Sequence, residues 1–156
     1  MTEKMFMGSA LCEAETDGSV TLPAFVREPL AVRSDGTTIL VGSHEVDICL
    51  TGYDPGHAVE LQEECRRRRL AEEGSKPGAC HMRARRIFGL LHAISVDADG
   101  RCILPELLRR RARINDAVLV VGTGEAFELW APQIALYGQD AGMRALASLS
   151  LEMRAA

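Results

Sequence analysis

The sequence predicts an α+β fold in which two similar β-rich units interlock around one core, with helices at the periphery. Three observations lead there. A segment is written twice: Glu15-Thr16-Asp17-Gly18-Ser19-Val20-Thr21-Leu22-Pro23 returns as Asp97-Ala98-Asp99-Gly100-Arg101-Cys102-Ile103-Leu104-Pro105, shifted by 82 residues. Each copy sits among short β-rich runs and leads into a helical pattern that ends in arginine. Helix-spaced stretches fill the chain between the copies and after the second. Units this small cannot bury an apolar face alone, so two of them must share a core. The 156 residues suffice for one compact body or two half-size units around a common interior.

Taken in order, residues 5–13, with Phe6, Ala10 and Leu11, read as an opening strand with imperfect alternation. Thr16-Asp17-Gly18 is a turn signal, Ser19 to Leu22 a return strand, and Pro23 to Leu30 a helix opened by a proline whose missing donor costs nothing there. Asp35-Gly36 marks a turn, Thr38 to Val41 a strand, and Val46 to Leu50 a further apolar run with strand character. Asp54 to Glu73 reads as a helix, Gly74 to Gly78 as an interruption, and His81 to Phe88 as a basic segment. The order then repeats: strand Ala93 to Val96, turn Asp99-Gly100, strand Arg101 to Leu104, helix Pro105 to Arg111, strand Ala117 to Val121, and strand Ala126 to Trp130. From Pro132 onward the chain reads as a helix weakened in its middle by Gly138 and Gly142. This divides it into a first unit over 5–53, a connecting helix and linker over 54–80, a second unit over 81–131, and a helical region over 132–156.

Composition narrows the function. A hydrophobic share of 47% is ordinary for a globular chain. No apolar run approaches the roughly 20 residues that span a bilayer, and no signal-peptide pattern opens the sequence. Five scattered cysteines without metal spacing favour reduced thiols and a cytoplasmic protein. The net charge of −4 divides unevenly, −7 over residues 1–75 and +3 over residues 76–156. Sixteen of the 18 basic residues are arginine, whose planar fork suits phosphate and guanine, although a GC-rich genome produces the same bias.

The doubled segment carries the sharpest candidates. Gly18 and Gly100 permit a turn with positive φ, and Pro23 and Pro105 set the entry to the next helix. Arg101 follows its turn glycine directly, where it can project toward a phosphate or base edge. Asp97 can brace it or complete a turn hydrogen bond. The alternative is a repeated corner needed only for folding. Arg66 to Arg69 follow Glu60, Glu63 and Glu64 on one helix, which favours surface charge pairing. Arg83, Arg85 and Arg86 are better placed to contribute a general positive field. Arg109, Arg110, Arg111 and Arg113 suit either phosphate contact or helix-terminal charge. His44, His57, His81 and His92 show no metal spacing with the cysteines, and no catalytic motif or cofactor-binding pattern is present. An enzyme is not expected.

The opening Met5-Phe6-Met7-Gly8, the two acidic-x-x-Gly segments closing on Pro23 and Pro105, Arg85 to Gly89, and Phe127-Glu128-Leu129-Trp130 together resemble the bacterial MraZ family. The resemblance runs from about Met5 to Tyr137. It implies tandem AbrB-like swapped-hairpin β-barrel units forming a pseudo-symmetric body with peripheral helices, assembled into ring-like homo-oligomers. It implies a nucleoid-associated transcriptional regulator that binds double-stranded DNA at repeated sites before the division and cell-wall genes. The alternative on the same fold is a protein-interaction or antitoxin-like module. The family motif is Asp-x-x-x-Arg in each half, its arginines contacting DNA. The second copy matches at Asp97 and Arg101; the first carries Glu15 and Ser19 instead. The implied DNA-binding set is Arg101, Ser19, Arg109 and Arg110, with Glu15, Gly18, Pro23, Asp97, Gly100 and Pro105 shaping the motif. Ser19 lacks arginine's charge and fork, and Asp17 beside it repels phosphate, so the first half is expected to be the poorer reader. Multivalency through a ring would compensate.

Overall fold

The computed structural model describes residues 4–72 and 78–155. The elements in chain order are β1 (Ser9–Glu13), β2 (Ser19–Thr21), α1 (Ala24–Arg33), β3 (Thr38–Ser43), β4 (Leu50–Tyr53), α2 (His57–Ala71), α3 (Ala79–Phe88), β5 (His92–Ser95), β6 (Arg101–Ile103), α4 (Glu106–Ala112), β7 (Ala117–Gly122), β8 (Phe127–Trp130), α5 (Pro132–Leu136) and α6 (Ala141–Ala155). They form an α+β fold with two antiparallel sheets and helices outside them. One sheet has six strands in the order β1-β7-β8-β4-β3-β5, and the other is the pair β2-β6.

The pairing runs crosswise between the halves. β1, from the first copy, lies against β7, with Leu11 opposite Leu119. β5, its counterpart, lies against β3, with Ile39 opposite Ile94. The hairpins β3-β4 and β7-β8 meet where β4 pairs with β8. β2 pairs with β6 so that Ser19 faces Ile103, Val20 faces Cys102 and Thr21 faces Arg101. The 82-residue shift exchanges the first and last of these pairs, which puts this short sheet on the pseudo-twofold axis.

The core follows the strand period of two. Val118 and Val120 of β7 point into the main interior with Phe6, Leu22, Val26, Leu30, Ile39, Val41, Leu50, Leu104, Leu108 and Phe127. Leu119, between them, points the other way and packs with Trp130, Ala135 and Ala147 beneath α5 and α6. β7 is therefore apolar on both faces, as a central covered strand must be. Phe6 and Phe127 meet as a tilted pair at 5.1 Å between ring centroids.

Four expected elements differ from the structure. The opening strand begins at Ser9, because Gly8 at φ 136° breaks the extended run; Phe6 makes an isolated bridge to Gly124. The run from Val46 to Leu50 is a loop, and β4 starts at its last residue. His44 Nδ1 accepts the backbone N–H groups of Val46 and Asp47 at 3.1 and 2.9 Å, which curls the chain and leaves Val46 85% exposed. The helix expected from Asp54 begins at His57, after a turn closed by His57 N–H on the Asp54 carbonyl at 3.0 Å. Its end at Glu73 and most of the interruption over 74–78 lie outside the described residues. The terminal helix divides into α5 and α6 around Gly138 and Asp140, whereas Gly142 sits within the first turn of α6.

Candidate nucleic-acid interface

The two repeated turns are built alike. In each, glycine takes a left-handed conformation, φ 91° at Gly18 and 82° at Gly100, and donates to the carbonyl of its acidic partner, Glu15 or Asp97. The turns then dock crosswise. Leu104 N–H donates to Gly18 O at 3.0 Å, and Leu22 N–H donates to Gly100 O at 2.9 Å. A methyl group on Gly18 would sit 2.6 Å from Leu104 O and 2.7 Å from Arg109 Nε; one on Gly100 would meet the Arg27 guanidinium. Arg27 and Arg109 are thus counterparts under the same 82-residue shift, each lying across the other copy's glycine. Arg27 carries no local signal of this role, and only the 82-residue shift from Arg109 points to it.

The outward face of β2-β6 carries the reading candidates. Alternation sends Val20 and Cys102 into the core and Ser19, Thr21, Arg101 and Ile103 outward. Arg101 is 48% exposed. Ser19 is only 2% exposed, because the Arg101 side chain lies over it: Nη2 donates to Ser19 Oγ at 3.0 Å and to Glu15 Oε2 at 2.7 Å. Asp97 does not reach the guanidinium and completes the turn instead, its Oδ1 accepting the N–H groups of Asp99 and Arg101 at 2.9 Å each. Asp17 does the same for Ser19 N–H at 2.9 Å. Hydrogen bonds from the Ser19 hydroxyl and amide, with the Arg101 charge adding, hold the Asp17 carboxyl below the usual carboxylate range.

The neighbouring arginines fall into different roles. Arg109 is half-buried over Gly18 and donates from Nε to Leu104 O at 3.1 Å. Arg110 is exposed and paired with Glu106 at 2.6 Å, one helical turn back. Arg111 donates from Nε to Ser43 Oγ at 3.1 Å, and Arg113 ends α4 in a left-handed conformation. On α2, Arg67 and Arg68 pair with Glu64, as the spacing along the helix suggested, and Arg68 also pairs with Glu45 of the β3-β4 loop. Arg83 pairs with Glu72. Arg33 ties four segments together: it pairs with Asp54 at 3.0 Å and Glu125 at 3.5 Å, donates to Lys4 O at 3.0 Å, and lies over the Phe6 ring.

One group with metal-ligand chemistry emerges only in three dimensions, where His44, Cys49 and Glu128 converge. It does not suit a cation. His44 Nδ1 accepts two backbone N–H groups, so the neutral ring carries its proton on Nε2 and donates it to Glu128 across 3.2 Å. The nitrogen facing the group has no free lone pair. Burial pushes the Cys49 thiol up, and the Glu128 and Asp47 charges add to it, so no thiolate forms at neutral pH. Burial likewise pushes the Cys102 thiol up to about 11 and raises that of Cys12. Glu128 also accepts Trp130 Nε1–H at 2.9 Å, making this network a brace between the β3-β4 loop and β8.

Comparison with known proteins accords with this architecture. Residues 87–134, from the end of α3 into α5, match a family model described as "MraZ protein, putative antitoxin-like". A protein from Shewanella oneidensis named "Transcriptional regulator MraZ" is 32% identical over 132 residues, covering 83% of this chain and 81% of its own length. Proteins of the same name from Shewanella sp. strain ANA-3 and Shewanella baltica are 31% identical over the same shares. That identity, extended over most of both chains, establishes that this chain belongs to the MraZ family.

Proposed function

We propose that this chain is a sequence-specific DNA-binding transcriptional regulator that reads tandem repeats upstream of the division and cell-wall gene cluster. The observation that carries the reading is the exposed Arg101 guanidinium on the outward face of β2-β6, held there by two crosswise-docked turns. Arginine in such a position can offer paired donors to guanine or phosphate. The names of the Shewanella relatives support the regulatory role, and the family is one of regulators rather than enzymes. We read the exchange of β1 and β5 between the halves as a swapped-hairpin barrel, built from units over 5–53 and 81–131, joined by 54–80 and followed by 132–156. Arg109 and Arg110 flank the reading face as phosphate contacts. Ser19, beneath Arg101, contributes by supporting that side chain rather than by its own reach. Self-association into a ring would present several such faces to repeated sites, and the working location is the cytoplasm at the nucleoid. Among the described residues, no helix is long and apolar enough to cross a membrane.

The test is duplex binding to tandem repeats and to scrambled DNA at several salt concentrations. R101A should lose about 10- to 100-fold for the repeats, the range of one bidentate base contact, and the preference for repeats over scrambled DNA should fall with it. Equal affinity of the wild-type protein for both duplexes would favour the interaction or antitoxin-like module instead, the reading closest to the family model's wording.

A further inference from the structure

We infer that Glu15 is an internal competitor for Arg101, a specificity-determining residue that holds the reading arginine in a pre-occupied state until DNA displaces it. The inference rests on the DNA-reading assignment of Arg101. A guanidinium offers two forks, Nη1 with Nη2 and Nε with Nη2, and both need Nη2. Here both Nη2 hydrogens are engaged, one by Glu15 Oε2 at 2.7 Å and the other by Ser19 Oγ at 3.0 Å. A carboxylate presents paired oxygen acceptors to arginine much as a guanine edge presents O6 and N7, so Glu15 and the base compete for one atom.

The competition arises from the broken symmetry of the repeat. Glu15 and Asp97 are counterparts, as are Ser19 and Arg101. Among the described residues, Asp97 makes no ion pair with an arginine and spends its Oδ1 on the N–H groups of its own turn, as Asp17 does in the other. Of the four acids in the two turns, Glu15 alone ion-pairs with Arg101. Its carboxylate is 62% exposed, so the pair is open to displacement and to screening.

The experiment compares E15A with D99A, which removes an exposed acid of the neighbouring turn that does not touch the guanidinium. Binding of each full-length variant to the tandem repeats and to scrambled duplex is measured at low and moderate salt. E15A should bind the repeats about two- to fivefold more tightly and scrambled DNA little more tightly, so the specificity ratio rises. D99A should raise both affinities equally and modestly. In the R101A background the gain from E15A should vanish, the signature of direct coupling. Equal behaviour of E15A and D99A, or an unchanged specificity ratio, overturns the inference while leaving the reading role of Arg101 standing. Unaltered repeat binding by R101A alone overturns both.

Discussion

Replacing Gly18 with alanine imposes two costs that Gly124 separates. Both glycines take the left-handed conformation, φ 91° and 89°, but a methyl group on Gly124 meets nothing within 4 Å. G124A should therefore cost only the backbone penalty of a side chain there, about 1–2 kcal/mol. At Gly18 the same methyl sits 2.6 Å from Leu104 O and 2.7 Å from Arg109 Nε. Because a carbonyl is fixed by the backbone, the turn must retreat. It then loosens the Leu104 N–H to Gly18 O bond, a further loss of about 0.5–1.5 kcal/mol, besides the Arg109 seat over the turn. The expected totals are about 1–2 kcal/mol for G124A and about 2–4 kcal/mol for G18A. Urea titrations followed by circular dichroism read both, and each kcal/mol corresponds to about 2–4 °C in Tm for a chain of this size. G18A should also weaken repeat binding, because its turn abuts Ser19, which supports the Arg101 side chain, and seats Arg109. Equal stability losses for the two variants would refute the claim that crosswise docking, rather than turn conformation, is what Gly18 supplies.

G52A should be worse than either. Gly52 lies opposite Phe127 across β4-β8, and a methyl there would run into the buried Phe127 ring, so we expect at least about 3 kcal/mol by urea titration and poor soluble yield on expression. R33A leaves the buried Asp54 carboxylate without its partner and uncovers Phe6, a loss of about 3 kcal/mol measurable by thermal melting, whereas R110A, at an exposed pair, should change stability by less than about 1 kcal/mol. Hydrogen bonds from His44 and Trp130 hold the Glu128 carboxyl below its ordinary range. A depressed folded-state pKa means stability that is full above the unfolded value and lost as pH falls through the folded one. Urea midpoints from pH 7 to pH 3 should therefore decline less steeply for E128Q than for the wild-type protein, from a lower starting value at pH 7.

Most of the elements were legible because their signals are local. The turn glycines, the prolines that open α1 and α4, and the short apolar runs of β5, β7 and β8 depend on neighbours within a few residues, and each led to the right type of element. The misses were also local conflicts, resolved by contacts that periodicity does not register. Val46 to Leu50 has strand composition, but the His44 ring captures its first amides and turns it into a loop.

The candidate site divides along the same line. The sequence alone determined that two copies exist, that Gly18 and Gly100 turn them, and that only the second carries an arginine, Arg101, after its turn glycine. The tertiary structure decided which atoms that arginine meets. Its partner Glu15 lies 86 residues away, and Ser19 lies 82 away beneath it. No window along the chain contains both sides of such a pair. Strand pairing between the halves brings them together: β1 lies against β7, β5 against β3, and β2 against β6.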